Sequence, residues 1–343
     1  MEKRRMPAEW EKQRAVQLTW PHKDTDWAPM LDEVTKTYEE MAREIRKREP
    51  LLIVGPPSDD TWARDHGFIT LVREKGKVNS ENATAVPSSA EGLVAANSSF
   101  FILHSSLLLD FCFNGWGEKF PAEKDNALNR RLYDEGHFCG EYVDHLDFVL
   151  EGGSIESDGC GTIFTTSSCL LAPHRNQPLT KADIEERLKQ YLYADRVLWI
   201  DHGHLTGDDT DGHIDTLVRI APDNTLLYVG CDDSLDEQYE ELRLMEEQLR
   251  TFRTPDGQPY RLLRLPLPRP IFDEERQRLP ATYANFLVIN GAVLCPTYNQ
   301  PDLDAEALRI IGEAFPFRDI VGIDCRPLIR QHGSLHCCTM QYY

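Results

Sequence analysis

Apolar residues recur at three- and four-residue spacing near the start of the chain, and this spacing predicts an amphipathic helix. The residues that carry the pattern are Leu31, Val34, Tyr38, Met41 and Ile45. Pro50 then ends the helical pattern, and four consecutive apolar residues at 51–54 predict a buried strand. The beginning of the chain is therefore expected to form a helix that leads into a strand of a sheet.

The same order of elements recurs three times further along the chain, as a hairpin of two short strands, a helix and a closing strand. The first unit is predicted around Glu151, with strand 162–166, helix 180–192 and strand 196–200. The second unit has strands 213–220 and 225–229, helix 234–252 and strand 260–265. The third unit has strands 286–289 and 292–296, helix 304–314 and strand 320–323.

Two further units complete the pattern. One runs from Asp65 through Phe113 and on to a helix at 123–132. The other combines the C-terminal strand 336–341 with strand 15–20 and with the helix and strand described first. Five α/β units in one domain of 343 residues predict a closed ring. Because such a ring closes only if both chain ends belong to one unit, we expect strand 336–341 to pair with strand 15–20.

The composition is that of a globular protein, with 41% hydrophobic and 27% charged residues. The longest apolar stretch, at 100–113, is interrupted by His104, two serines and Asp110, and it falls short of the roughly 20 residues of a membrane span. The N-terminal residues lack the apolar segment of a signal peptide, so we expect a cytoplasmic location and no membrane partner. A formal net charge of −20 argues against a nucleic-acid partner and favours a small cationic ligand.

The nine cysteines are odd in number and scattered along the chain, which favours reduced thiols over a disulfide framework. No Cys-x-x-Cys pair stands beside a matching pair of histidines, so a structural zinc site is not expected. Cys337 and Cys338 differ from the other cysteines because they are adjacent and follow His336.

The polar residues that open the predicted units would meet at the centre of a ring. They are Asp65, Glu151, His213, Asp215 and Cys337. In the strand-like triplet 213–215, alternation would place the imidazole and the carboxylate on one face of the strand. The segment 151–154 sets a carboxylate beside two glycines, which permit a tight bend or the close approach of a ligand.

Each of these features also has an ordinary structural interpretation. A His-x-Asp triplet is more often a histidine satisfied by its neighbours, and Glu-Gly-Gly is commonly a hairpin turn. The segment 62–67 could be a packed tryptophan beside a surface ion pair. Cys337 and Cys338 would by default be buried apolar thiols, because free cysteine is among the most buried residue types.

As a set and in this order, the motifs resemble those of the agmatine deiminase family, a branch of the Porphyromonas-type peptidylarginine deiminases within the guanidine-modifying superfamily. The segments that carry the resemblance span nearly the whole chain and are 6–11, 20–22, 60–65, 114–117, 151–154, 207–215, 283–286 and 336–339. The resemblance implies a five-bladed α/β propeller with pseudo-fivefold symmetry, the pentein fold. It also implies that no metal or organic cofactor is needed.

The resemblance implies a role for each candidate residue. Asp65 and Asp215 would grip the planar guanidinium of the substrate in a bidentate manner. Cys337 would attack the guanidinium carbon, and His213 would protonate the departing ammonia and then deprotonate the attacking water. Glu151 would orient His213 or the substrate. Further contacts with the substrate are assigned to Asp60, Trp62, Trp20, Trp116 and Gly153.

The resemblance implies agmatine as the substrate, with N-carbamoylputrescine and ammonia as products, in polyamine synthesis. A deiminase of free or peptidyl arginine would use the same chemistry, but it would need a cationic partner for the α-carboxylate or an open groove for a peptide. A non-catalytic guanidine-binding protein and an amidinotransferase remain open as alternatives. The sequence does not decide the oligomeric state, and a homodimer is one of the states that it allows.

The charge around Cys337 leads to a specific expectation. Asp65, Asp215 and Glu151 should together raise the pKa of the Cys337 thiol before the substrate arrives. We therefore expect the positive charge of the substrate to promote formation of the thiolate. Cationic guanidines would then be attacked, whereas neutral amides of similar shape would not.

The chain departs from the pattern of the family in two segments and at one cysteine. The connection between Val54 and Asp60 is shorter than in relatives, which predicts one incomplete unit. The segment 75–106 is predicted to be a surface loop inserted between the two strands of a hairpin. Cys338, where relatives tend to carry an aliphatic residue, is expected to face away from Cys337 and to be a structural thiol.

Overall fold

The computed structural model describes residues 4–73 and 106–343. Its strands are β1 (Arg4–Arg5), β2 (Ala15–Thr19), β3 (Leu51–Val54), β4 (Ile69–Arg73), β5 (Leu107–Cys112), β6 (Glu141–Val149), β7 (Ile155–Ser157), β8 (Thr162–Thr166), β9 (Arg196–Ile200), β10 (Val218–Ala221), β11 (Thr225–Gly230), β12 (Arg261–Pro266), β13 (Leu287–Ile289), β14 (Ala292–Thr297), β15 (Asp319–Asp324) and β16 (Thr339–Tyr342). Its α-helices are α1 (Leu31–Arg46), α2 (Ala63–His66), α3 (Gly115–Glu118), α4 (Glu123–Asn126), α5 (Leu128–Asp134), α6 (Ser167–Leu170), α7 (Lys181–Leu192), α8 (Tyr239–Thr251), α9 (Pro301–Ala314) and α10 (Arg326–Ile329).

The strands of the described residues form five separate sheets, and three of these sheets repeat one topology. In each of the three, two strands form an antiparallel hairpin (β7 with β8, β10 with β11, β13 with β14). A third strand (β9, β12 or β15) then pairs in parallel with the second strand of the hairpin. Helices α7, α8 and α9 form the crossover connections that parallel pairing requires. The three predicted units are confirmed, with shifted boundaries.

The other two sheets follow the same order of pairing. Strand β4 pairs antiparallel with β5, β5 pairs in parallel with β6, and the short strand β1 extends this sheet beside β4. In the last sheet β16 pairs antiparallel with β2, from Thr339 opposite Leu18 to Tyr342 opposite Ala15, and β2 pairs in parallel with β3. The expected pairing of the two chain ends is confirmed, and the fold is mixed α/β.

Helix α1 connects β2 to β3 and buries one face. Its residues Val34, Tyr38, Met41 and Ile45 are each fully buried, whereas most of the charged residues of the helix are exposed. This division follows from the helical spacing of the apolar positions, because side chains three and four residues apart lie on the same face. The predicted helix is confirmed.

The predicted strand 213–220 is wrong over its first half. Strand β10 begins only at Val218, and Ile214–Thr216 form a turn of 3-10 helix instead. The backbone N–H of Thr216 and its hydroxyl both donate to the carbonyl of His213, and Leu217 N–H donates to the carbonyl of Ile214. These local bonds replace the ladder bonds that a strand would need, so the argument from strand alternation at 213–215 does not apply.

The short connection between Val54 and Asp60 does not leave a unit incomplete. The sheets on either side of it, β16-β2-β3 and β1-β4-β5-β6, each contain at least three strands, so this prediction is wrong. The predicted insertion 75–106 lies outside the described residues except for Ser106. Within the described residues, no helix is both long enough and apolar enough to cross a membrane.

Candidate active site

A cavity of about 220 Å³ brings together residues from distant parts of the chain. Five residues of the predicted site contribute to its lining, which consists of Asp26, Asp60, Trp62, Asp65, Trp116, Phe120, Asp209, Thr210, Gln331, His332, Gly333 and Cys337. Carboxylates and aromatic rings dominate this lining. Such a surface suits a small cationic ligand, because carboxylates pair with the charge and aromatic faces attract cations.

Gly153 marks the point where three predicted catalytic side chains converge. A Cβ atom on Gly153 would lie 2.6 Å from His213 Nδ1, 2.8 Å from Asp65 Oδ1 and 3.1 Å from Asp215 Oδ2. Gly153 lies in the 3-10 turn Gly152–Ser154, and Asp215 lies in the turn Ile214–Thr216. Only a residue without a side chain leaves room for the three groups. The structure therefore brings Asp65, His213 and Asp215 together.

The carboxylate of Asp65 lines the cavity and accepts two hydrogen bonds. Trp116 Nε1–H donates to its Oδ2 at 3.0 Å, and the backbone N–H of Gly153 donates to its Oδ1 at 3.0 Å. Burial raises the pKa of Asp65 to about 6; His213 opposes the rise, and Asp215 and Glu151 add to it. At neutral pH this carboxyl group is therefore mostly ionised, but it titrates close to the physiological range.

Trp116 reaches Asp65 through a left-handed stretch of backbone. Trp116 has φ +57° between Gly115 at +67° and Gly117 at +84°. A tryptophan in this region carries conformational strain of about 1–2 kcal/mol. The two flanking glycines accept positive φ without that cost, so the sequence Gly-Trp-Gly is suited to this bend.

Asp215 has one oxygen that is engaged and one that is not. Its Oδ2 accepts a hydrogen bond from Nδ1 of His336 at 2.8 Å and lies 3.8 Å from Cys337 Sγ. Its Oδ1 is buried and has no hydrogen-bond partner among the described residues. Burial alone would raise the pKa of Asp215, but the hydrogen bond and charge of His336 lower it overall. Asp215 is thus an ionised carboxylate with a free oxygen.

Cys337 lies in the loop before β16 and contributes to the lining of the cavity. Its Sγ lies 3.3 Å from Nδ2 and 3.4 Å from Oδ1 of Asn285. Burial raises the pKa of the Cys337 thiol well above its ordinary value, and Asp215 and Asp65 raise it further. The expected direction of this pKa shift is confirmed.

These charges lead to a prediction about alkylation. In the ligand-free protein, iodoacetamide should modify Cys337 slowly at neutral pH, and Asp215→Asn should speed the modification by about tenfold, as for a thiol pKa lowered by one unit. Mass spectrometry of the peptide that contains Cys337 measures the rate. Asp110→Asn, which removes a buried carboxylate that has other partners, is the matched control. Rapid modification of the unaltered protein below pH 7 would contradict the prediction.

His213 and Glu151 are fully buried behind the wall of the cavity. His213 Nδ1 lies 3.6 Å from Asp65 Oδ1. Burial alone would lower the pKa of His213, but Asp65, Cys169 and Glu151 raise it well above its ordinary value. Glu151 Oε1 lies 2.8 Å from Arg175 Nε, and the two side chains form an ion pair. The two atoms are not aligned for a hydrogen bond. The direction of this pKa shift favours the protonated form of His213, and neither ring nitrogen has a hydrogen-bond partner among the described residues.

Among residues 4–73 and 106–343, two groups of side chains have ligand atoms close enough to hold a metal ion. They are Glu151 with Cys169 and His213, and Glu9 with Glu156 and His336. An arginine already lies in each group: Arg175 pairs with Glu151, and Arg219 pairs with Glu9 and Glu156. The positive charge of each guanidinium opposes the entry of a cation, so the donor sets fit arginine better than a metal.

Several residues at the site were not predicted from the sequence. Asn285 and His336 lie in segments that carry the family resemblance, but the motifs assign no role to either residue. In the structure the two are joined, because the backbone N–H of His336 donates to Asn285 Oδ1 at 2.8 Å. Arg175 and Cys169 gave no signal in the sequence. Conversely, Trp20 is not among the described residues that line the cavity. Its ring packs edge-on against Tyr38, with ring centroids 5.6 Å apart.

Comparison with known proteins gives a consistent result. A sequence model described as Porphyromonas-type peptidyl-arginine deiminase matches residues 5–342. The agmatine deiminase of Pseudomonas aeruginosa (strain LESB58) is 28% identical, over 98% of this chain and 95% of its own length.

Solved structures are similar along the whole chain. A protein from Porphyromonas gingivalis, provisionally named an arginine deiminase, is 46% identical, with a TM-score of 0.85 over 99% of this chain and 98% of its own. The C. jejuni agmatine deiminase with substrate bound is 34% identical, with a TM-score of 0.85 over 99% of this chain and 96% of its own.

Proposed function

The chain belongs to the family of Porphyromonas-type peptidyl-arginine deiminases, and from this premise we propose that it hydrolyses agmatine to N-carbamoylputrescine and ammonia. The observation that carries the proposal is the convergence of Cys337 with two carboxylates, Asp65 and Asp215, in one largely buried site. A planar cation gripped by two carboxylates would present its central carbon to the sulfur. The chain thus acts as a hydrolase of C–N bonds in linear amidines.

The charge of the cavity favours agmatine over arginine. The described residues that line it include the carboxylates of Asp26, Asp60 and Asp209, and no arginine or lysine is among them. A second cation, such as the primary amine of agmatine, would be attracted to these groups, whereas the α-carboxylate of arginine would be repelled. The cavity volume of about 220 Å³ also suits a small molecule better than a peptide.

The reaction proceeds through a covalent adduct on Cys337. The Cys337 thiolate forms a C–S bond to the guanidinium carbon, and the protonated His213 gives its proton to the nitrogen that leaves as ammonia. The resulting thiouronium carbon is then attacked by water, from which His213 takes a proton. The C–S bond breaks, Cys337 leaves as a thiolate, and the carbon remains in the product as a protonated urea, which loses its extra proton to solvent.

The thiolate itself depends on the substrate. The pKa of Cys337 is raised by burial and by two carboxylates, so a thiol is the stable form of the ligand-free site. A bound guanidinium neutralises Asp65 and Asp215 and adds a positive charge next to the sulfur, which lowers the thiol pKa. Neutral amides lack this charge and are not attacked.

The acid side of the pH profile should report Asp65. Because the pKa of Asp65 is about 6, the carboxylate is lost as the pH falls through 6, and kcat/KM should fall about tenfold per pH unit below it. Trp116→Phe removes a hydrogen bond that lowers this pKa, so it should move the acid limb to higher pH by about one unit. An acid limb near pH 4, or one that Trp116→Phe leaves in place, would contradict the assignment.

We further propose that the five sheets are the blades of a closed propeller. The repeated topology and the pairing of β16 with β2 support this arrangement, since a closed ring of repeated units joins its chain ends in one unit.

A role in polyamine synthesis follows from the proposed product, a carbamoyl derivative of putrescine. A cytoplasmic location remains our prediction from the sequence.

A panel of substrates tests the proposed specificity. Ammonia release is measured with agmatine, free arginine and a blocked arginyl peptide, and kcat/KM for agmatine should exceed that for arginine by at least about 100-fold. Higher activity on arginine would leave the chemistry in place but overturn the substrate. Agmatine binding without ammonia release would favour a non-catalytic protein, and activity that requires ornithine or glycine would identify an amidinotransferase.

A further inference from the structure

His336 lies between two carboxylates, those of Asp215 and Glu9. Its Nδ1 lies 2.8 Å from Asp215 Oδ2, and its Nε2 lies 3.1 Å from Glu9 Oε2. His336 is 1% exposed, and its backbone N–H donates to Asn285 Oδ1. An imidazole in this position joins Glu9, in the N-terminal segment, to the carboxylate of the proposed guanidinium site.

Hydrogen bonds to both carboxylate oxygens fix the position of the Glu9 side chain. Its Oε1 accepts from Val288 N–H at 3.0 Å and from Gln341 Nε2 at 2.6 Å, and its Oε2 accepts from Arg219. Burial alone would raise the pKa of Glu9, but Arg219 and His336 hold it well below its ordinary value. Glu9 is therefore an ionised acceptor whose position is set by several donors.

Arg219 also approaches the ring, with Nη2 at 3.2 Å from His336 Nε2. Its guanidinium is held by Glu156, by the carbonyls of Ala284 and Phe286, and by the face of the Phe286 ring. A guanidinium can only donate hydrogen bonds, and Arg219 Nη2 already donates to Glu9. Glu9 is consequently the acceptor that Nε2–H can use.

We propose that Glu9 is a positioning residue for the reaction: through His336 it fixes the carboxylate of Asp215, whose Oδ2 lies 3.8 Å from Cys337 Sγ, in the orientation that receives the guanidinium of the substrate. The proposal rests on the proposed function, because it assigns Asp215 to the guanidinium. Glu9 is not among the described residues that line the cavity, so its effect on the site reaches Asp215 through the His336 ring. Two hydrogen bonds, one at each ring nitrogen, carry this effect.

Binding of agmatine tests the proposal without turnover. In a Cys337→Ser background, Glu9→Gln should raise the dissociation constant for agmatine about tenfold, measured by calorimetry. Glu11→Gln is the matched control, because Glu11 anchors the same segment through Arg5 and the N–H of Ala8 but has no contact with His336. The control should change the dissociation constant less than about twofold. An unchanged constant in Glu9→Gln would overturn the proposal.

A double-mutant cycle separates transmission through His336 from a general structural effect. His336→Asn should weaken agmatine binding by itself, and adding Glu9→Gln to it should cause little further loss, because the link is already broken. Fully additive losses would overturn the proposal. Failure of the Cys337→Ser parent to bind agmatine would instead count against the proposed function.

A measurement on the unaltered protein depends neither on the substrate nor on turnover. Nitrogen-15 NMR of histidine-labelled protein should show protons on both ring nitrogens of His336 in the ligand-free state, since both face carboxylates. The resonance is assigned by its absence in His336→Asn. A ring that carries a proton on Nδ1 alone would overturn the direct bond to Glu9.

Discussion

Replacing Cys337 by serine is expected to reduce ammonia release from agmatine by at least about 10⁴-fold, because loss of a covalent nucleophile removes the reaction path itself. A serine hydroxyl has the same place in the chain but is a far weaker nucleophile for a guanidinium carbon. Agmatine should still bind, since Asp65 and Asp215 are unchanged. The rate of ammonia release and the dissociation constant together check this expectation.

Cys338→Ser is the matched control for this prediction. Cys338 is fully buried in the apolar core, and its Sγ lies 3.3 Å from the carbonyl of Ser334. It is not among the residues that line the cavity. The control should keep activity within about tenfold, apart from a loss of stability from the polar hydroxyl. Loss of turnover in Cys338→Ser with activity retained in Cys337→Ser would reverse the assignment of the nucleophile.

Gly153→Ala is expected to lower kcat/KM by at least about 100-fold, because a displacement of about 1 Å at a catalytic group costs that much. The new methyl group would lie 2.6 Å from His213 Nδ1 and 2.8 Å from Asp65 Oδ1. Contacts this short force one or both groups to move. Steady-state kinetics with agmatine measures the loss.

Gly55→Ala provides the control for this steric prediction. Nothing lies within 4 Å of a Cβ atom placed on Gly55, and its φ is not in the left-handed region. The substitution should leave kcat/KM within about twofold and should not lower stability. If Gly153→Ala also keeps kcat/KM within about twofold, the reaction does not require the close approach of His213 and Asp65 to Gly153.

The repeated units could be predicted from the sequence because each unit is defined by local periodicity. The helical spacing from Leu31 to Ile45 and the short apolar runs report burial directly, and the structure has helix α1 and the strands close to the expected places. The exception is the triplet 213–215, where bonds to the carbonyls of His213 and Ile214 favour a 3-10 turn. Apolar alternation alone does not reveal such local competition.

The side chains that contact Asp215 and Cys337 could not be predicted from the sequence, because these contacts join residues that are far apart along the chain. His336 bonds Asp215 across 121 residues, and Asn285 contacts Cys337 across 52. No local pattern encodes such a pair. The substrate contact expected of Trp20 from its place in a family motif stays a prediction; in the structure its ring packs edge-on against Tyr38.

The most direct test of the account is ammonia release from agmatine by the purified protein, with the mass of the second product measured in the same reaction. The account predicts ammonia and N-carbamoylputrescine in equal amounts, and no release above background from Cys337→Ser. Equal release by the unaltered protein and by Cys337→Ser would contradict the central claim, as would an unaltered protein that binds agmatine without releasing ammonia.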